Sequence, residues 1–245
     1  MSHSQKAALR GEPSYVWREG QDRRLAMIAQ WGNLTAQSVA LVDGCGNGMY
    51  ATKISEAFGA RVEAFDIETE RVALAIAHSP HAVVAAAEAI PYPNATFDFI
   101  LSHEVIEHVQ DDRMAVQEMW RVLKVGGRVI MFAPNRWYPF ETHGHYWRGE
   151  YHFGNTPLIN YLPDALRNRL APHVRAYTRR GLLALFAELP YRVVHHRRIY
   201  GGYDNLINRF GQPAQHVRDG LYHLEGTPLD TVGLSHLLVI EKTSA

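Results

Sequence analysis

The sequence carries one cysteine, Cys45, in 245 residues. That excludes an intrachain disulfide and a cysteine-rich metal site, and its place between two glycines points to packing rather than to a nucleophile. Net charge is also missing: 25 Lys and Arg balance 25 Asp and Glu. No global electrostatic pull toward nucleic acid or an anionic membrane follows, so nucleic acid is an unlikely partner. No run approaches the ~20 apolar residues of a membrane span. The opening residues, Met1 to Lys6, lack the basic-then-apolar order of a signal peptide, and a cytoplasmic location is the expectation. No internal repeat or low-complexity tract is visible. A hydrophobic content of 47% at this length fits one α/β domain, or one domain with a substantial insertion.

What is present is concentrated between Val39 and Asp66. An apolar run from Val39 ends in Gly44, Gly46 and Gly48, a helical segment follows to Phe58, and a second apolar run from Arg61 ends in Asp66. This is the order of a nucleotide-type β-α-β unit. Glycines allow a tight turn and close approach of a ligand to the backbone. Asp66, roughly 20 residues beyond them, suits the two hydroxyls of a ribose. Farther on, Glu68 to Ser79 reads as a helix ended by Pro80, and Ala82 to Ala86 as a short strand. Phe97 to Ser102 reads as a buried strand, Asp111 to Leu123 as a helix stopped by Gly126 and Gly127, and Arg128 to Ala133 as a fifth strand. Thr178 to Leu189 reads as a helix, with strands over Tyr191 to Tyr200 and Leu234 to Lys242. Alternating strands and helices predict a doubly wound, Rossmann-like, mostly parallel sheet of seven strands, with the ligand over the carboxyl ends of the strands.

The segment Gly44 to Gly48, with cysteine after the first glycine, resembles the first motif of class I S-adenosylmethionine (SAM) methyltransferases. Ala87 to Tyr92, Phe97 to Ser102, Glu104 to His108 and Arg121 to Gly127 are similar, in order and spacing, to later motifs of that superfamily, and Gly233 to Lys242 resembles its last strand. The likeness is to its type 11 branch. It implies a class I methyltransferase fold with an antiparallel last strand, SAM as donor, and donor contacts from Asp43, Gly44, Cys45, Gly46, Gly48, Asp66, Ile67, Ala87, Glu88 and Ser102. Two departures stand out. The family's acid ahead of the first glycine falls on Val42, with Asp43 one place later, and the acid that meets the adenine amino group falls on Ala86.

Residues 1–36 read as an N-terminal arm, polar to residue 12, and then a helix with Leu25, Ile28 and Ala29 on one face, which either caps the donor pocket or covers the sheet. Residues 37–133 form the SAM-binding core. Residues 134–173 have no sustained period and gather Trp137, His143, His145, Trp147, His152 and Phe153 among other rings. Such an insertion is expected to be a lid over the acceptor site or a homodimer interface. Residues 174–245 complete the core, with an excursion at 201–230.

Methyl transfer from a sulfonium needs alignment and, for a hydroxyl acceptor, management of a proton. Ser102 to His108 lie where the methyl is expected. If the segment starts a helical turn, Glu104, Glu107 and His108 share one face. His103, Glu104 and His108 are the candidate catalytic residues, with either imidazole taking the proton. The text from Glu104 to His108 also resembles the metal site of ubiquinone-biosynthesis O-methyltransferases and small-RNA 2'-O-methyltransferases. That likeness implies a divalent metal on Glu104, Glu107, His108 and a later histidine, matched by His173. The expected reaction is O-methylation of a small molecule or glycan that packs on aromatic rings. Arg175, Arg179, Arg180, Arg197 and Arg198 are placed to recognise a phosphate or carboxylate on it, or form solvated surface. A non-catalytic SAM-binding protein and an RNA 2'-O-methyltransferase are the alternatives.

Overall fold

The computed structural model describes residues 16–79 and 81–244. The polar arm at residues 1 to 12, Tyr15 and the helix-ending Pro80 lie outside the described residues. Seven strands form one sheet: Val39–Asp43 (β1), Arg61–Asp66 (β2), Ala82–Val84 (β3), Phe97–His103 (β4), Leu123–Pro134 (β5), Tyr191–Ile199 (β6) and Ser235–Lys242 (β7). Their spatial order is β6-β7-β5-β4-β1-β2-β3. β1, β2, β3, β4 and β5 pair in parallel, and β7 runs antiparallel to both neighbours. The predicted class I architecture, with its reversed last strand, is the one observed.

Parallel strands need crossovers, and the crossover helices bury both faces of the sheet. On one face Glu19–Trp31 (α1), Met49–Phe58 (α2) and Thr69–Ile76 (α3) bring Ile28, Ala51, Ile54, Val72 and Ala75 against Ala40, Val42, Phe99 and Leu101. On the other, Asp112–Val122 (α4) packs Ala115, Val116, Met119 and Trp120 with Leu182 and Phe186 against Leu41, Ile100 and Val129. Asp111 caps α4, its Oδ1 accepting from the Arg113 and Met114 amides at 3.0 Å. At the other end of α4 the buried Lys242 ammonium donates to the Trp120 and Leu123 carbonyls, as a cation at a helix C-terminus should.

Several boundaries differ from expectation for identifiable reasons. β5 begins at Leu123, directly after α4, because Phe97 pairs with Leu123 before the register jumps to Phe99 with Arg128. Gly126 and Gly127 therefore sit in a bulge inside the strand rather than ending the helix. The predicted Thr178 to Leu189 helix is shorter, Arg179–Ala184 (α6), capped by Thr178. The insertion is not structureless. It contains two small antiparallel pairs, Phe140–Glu141 with Thr156–Pro157 and His145–Trp147 with Glu150–His152, and the helix Asp164–Leu170 (α5). The 201–230 excursion carries the helices Asp204–Phe210 (α7) and Gln212–His223 (α8). No helix among the described residues is long and apolar enough to cross a membrane.

Candidate active site

The glycine turn leaves β1 at its carboxyl end and enters α2. Gly44, Gly46 and Gly48 take φ of 64, 54 and 86°, conformations that L side chains avoid. Asp66 locks the turn to β2: its Oδ2 accepts from the Gly46 amide and its Oδ1 from the Glu68 amide, both at 2.9 Å. The Cys45 amide donates to the Phe65 carbonyl at 2.8 Å, and its thiol is buried. Sequence reading assigns the glycines to make room for a ligand, but protein fills that space at two of them. A Cβ on Gly44 would lie 2.3 Å from Val105 Cγ2, and one on Gly48 3.1 Å from Ala75. Gly44→Ala is therefore expected to destabilise the fold by about 2 kcal/mol or more, through the positive φ and the clash with Val105. Thermal unfolding should show a midpoint lowered by roughly 4 °C or more.

Val42 is in the core, so it offers nothing to a ligand. Asp43 turns toward β4, where the Ser102 hydroxyl donates to its Oδ2 at 2.9 Å. Its Oδ1 is buried and takes no hydrogen bond from a described residue. Burial lifts this carboxyl from an ordinary 3.8 to about 7, partly offset by the Ser102 bond. A buried acceptor left open beside the turn fits a cationic donor such as the ammonium of SAM. Ile67 is exposed at the end of β2, and Ala87 is buried. The Glu88 carboxylate is engaged in the fold, accepting from the Gln110 and Asp111 amides at 2.6 and 3.2 Å.

The segment after β4 is a turn, not the start of a helix. Glu104 adopts φ 55°, a strained value for a non-glycine residue. Its side chain therefore swings to Arg24 and Ser235, whose Nη2 and Oγ donate to Oε1 at 3.3 and 3.1 Å. Glu107 and His108 point toward the insertion, where Glu107 Oε1 lies 4.0 Å from His108 Nε2 and 3.9 Å from His143 Nε2. Burial, and the charge of Glu104, push the Glu107 carboxyl well above the usual range. Burial opposes the charge on Glu104 too, but the Arg24 guanidinium beside it holds it below the usual range. Of the two acids, Glu107 is therefore the one whose charge burial opposes more.

Among the described residues, Glu107, His108 and His143 form a group of ligand-type side chains, one atom from each within 4.8 Å of the others. Glu104 and His173 stand outside that group. His173 backs it: its Nε2 faces the His143 carbonyl at 3.1 Å, and its own carbonyl faces His108 Nδ1 at 3.4 Å. His143 Nδ1 faces Glu141 Oε1 at 3.2 Å. Both imidazoles thus have their outer nitrogen engaged and their Nε2 turned inward, the arrangement of metal-ligating histidines. Burial, with His143 beside it, holds His108 down to about 3. The donor set of two imidazoles and one buried carboxyl fits a divalent cation.

His103 lies under Tyr50 and Phe132, ring centroids 4.6 and 5.3 Å away. Burial, reinforced by Arg24, lowers it to about 3. Neither His103 nor His108 is therefore a strong proton acceptor near neutrality. Sequence reasoning missed Glu141, His143, Arg167 and Arg24. The insertion's richness in histidine was a signal for His143, but nothing local distinguished it from His145 or His152. Two of the five expected arginines are engaged in the fold: Arg175 donates to the Val109 and Gln110 carbonyls, and Arg198 pairs with Asp230 and donates to the Thr231 hydroxyl.

A family model described as a methyltransferase domain matches residues 41–131, from β1 through most of β5. The chain is 27% identical to the uncharacterized methyltransferase YcgJ of Bacillus subtilis (strain 168) over 141 residues, 56% of this chain and 49% of that one. It is 34% identical to a probable S-adenosylmethionine-dependent methyltransferase of Mycolicibacterium smegmatis (strain ATCC 700084 / mc(2)155) over 95 residues, 38% of this chain and 37% of that one. The matches thus span no more than half the length of these curated relatives. A solved S-adenosylmethionine dependent methyltransferase from Mesorhizobium loti shares the fold, with a TM-score of 0.62 and 16% identity over 89% of this chain and 96% of that one. The matched residues carry the glycine turn and the strands around it, so residues 41–131 form a methyltransferase domain, on a sheet with the fold of solved SAM-dependent methyltransferases.

Proposed function

We propose that this protein O-methylates a small molecule or glycan with SAM as donor, using a divalent cation held by Glu107, His108 and His143. The observation that carries this reading is the buried acid and imidazole cluster at the carboxyl end of β4, beside the glycine turn. A divalent ion there supplies charge that makes a neighbouring hydroxyl easier to deprotonate.

The chain's own residues do the rest. The glycine turn and Asp66 hold the donor's ribose end, and the open Oδ1 of Asp43 accepts from its ammonium. Asp43 thereby takes up the role lost at Val42. Glu104, kept ionised by the Arg24 guanidinium beside it, is the base for the acceptor's proton. His103 stays neutral and positions the acceptor on the Tyr50 and Phe132 rings. The insertion acts as a lid, contributing His143 from below and an aromatic surface above.

The test is calorimetric titration of magnesium, then zinc, into metal-stripped protein saturated with S-adenosylhomocysteine. Wild type is expected to bind one ion, with affinity reduced on the order of 100-fold in Glu107→Ala and His143→Ala, and by about tenfold or less in His173→Ala. Equal binding by all four proteins, or none by wild type, removes the metal. Failure of a folded wild type to load the homocysteine product removes the donor assignment.

A further inference from the structure

A cavity opens at the same end of the sheet, where β6 ends. It has a volume of about 200 Å³ and lies between the first turns of α1, the end of β6 and the helices α7 and α8. Arg18, Arg23 and Arg24 project into its walls, against a single carboxylate in the lining, Asp204. Three guanidinium groups around a small hollow are an electrostatic site for an anion, since arginine keeps its charge and presents paired donors that match an oxyanion.

The three arginines are held in different ways. Arg23 is fixed: it donates to the Tyr200 carbonyl at 3.2 Å, pairs with Glu225, and lies over the Tyr222 ring at 3.8 Å. Arg24 reaches through the wall to Glu104, with its guanidinium 5.4 Å from the centroid of Phe132. Arg18 is exposed at the rim and has no ion pair with a described residue. Arg24 therefore links the cavity to the acid that faces the acceptor, while Arg18 retains its donors for a ligand.

We propose that this cavity binds a carboxylate or phosphate carried by the methyl acceptor, so that the acceptor's hydroxyl is presented toward Glu104. The substrate class is then a small hydroxylated acid or phosphate ester. The inference rests on the methyltransferase reading for the identity of the bound molecule, but not for the anion site itself. The donor's own carboxylate has the same chemistry, and the experiment separates the two sources.

Inorganic phosphate and, separately, acetate are titrated calorimetrically into homocysteine-product-loaded wild type, Arg18→Gln and Arg24→Gln at constant ionic strength in chloride. S-adenosylhomocysteine is titrated into the same three unloaded proteins. Wild type should bind one equivalent of phosphate or acetate, the tighter probe naming the group. Each variant should weaken that binding about tenfold or more, while Arg18→Gln binds the homocysteine product as wild type does. Arg18→Gln guards against misfolding, because its side chain is at the surface. Absence of saturable anion binding in wild type, or equal binding by the variants, overturns the proposal. It is equally overturned if the variants lose the homocysteine product while keeping the anion, since the arginines would then hold the donor. If wild type fails to load the product, the anion titrations are run on the free protein. Variant-sensitive anion binding there supports the site while the methyltransferase reading falls.

Discussion

Asp43→Asn is expected to make the ligand-free protein more stable and a poorer binder of SAM. Burial is the main cause that lifts the Asp43 carboxyl, with Asp66 and Glu88 adding to it against the Ser102 bond. A carboxyl raised in the folded state binds protons on folding between its ordinary value and its raised one. Its ionisation therefore costs nothing below about pH 4, opposes folding increasingly as pH rises toward 7, and has its full effect above that. The move from 3.8 to about 7 corresponds to roughly 4 kcal/mol at full ionisation. Asparagine keeps the shape and a partner for Ser102 without the charge. The unfolding midpoint of the variant should exceed that of wild type by on the order of 10 °C at pH 8, with the gap closing as pH falls toward 4. Affinity for S-adenosylhomocysteine should drop by about tenfold or more, because a charge-assisted hydrogen bond to the ammonium is gone. Thermal melts over this pH range and calorimetry check both halves. A midpoint gap that is independent of pH would mean that Asp43 is not the titrating group.

Arg167→Met is expected to loosen the insertion and leave the donor site intact. Arg167 is 2% exposed and Glu141 equally so, and they meet at 2.8 Å. The same guanidinium donates to Asn160 Oδ1 at 3.2 Å and to the Val174 carbonyl at 2.8 Å, so it fastens two points of the insertion to each other and to the chain just beyond it. Removing one partner of a buried pair strands the other charge, at a cost of about 3–5 kcal/mol. Glu141 also orients His143, so its displacement reaches the metal ligand set. The expected result is faster proteolysis within residues 134–173 and metal affinity reduced about 10- to 100-fold. Affinity for S-adenosylhomocysteine should stay within about threefold of wild type, since Asp43 and Asp66 lie in a separate part of the core. Loss of the homocysteine product together with metal would show that the insertion supports the whole site and not only its acceptor side.

The glycine turn and its link to the acid of β2 were legible in the chain because their parts are close in sequence. Gly44 to Gly48 and Asp66 are joined by one helix, so strand, turn and carboxylate are read in a single β-α-β unit. The apolar runs of β4 and β5, and the acids that follow β4, were visible for the same reason. What could not be read was direction. The positive φ of Glu104 turns its side chain to Arg24 and Ser235, away from the face a helical turn would have shared with Glu107 and His108. His143 was equally hidden, because its selection over the neighbouring histidines depends on Arg167 and Glu141 packing beneath it.

By itself the sequence determined the alternation of buried strands and helices, the glycine turn and the acid of β2, because hydrophobic period and glycine conformation are local properties of the chain. Only the tertiary structure decided which histidine meets Glu107, where Glu104 points, which arginines surround a cavity, and that Val105 rather than a ligand requires Gly44. Each of these is a contact between segments far apart in the chain, set by packing and by the desolvation of charge, and no short-range pattern encodes either.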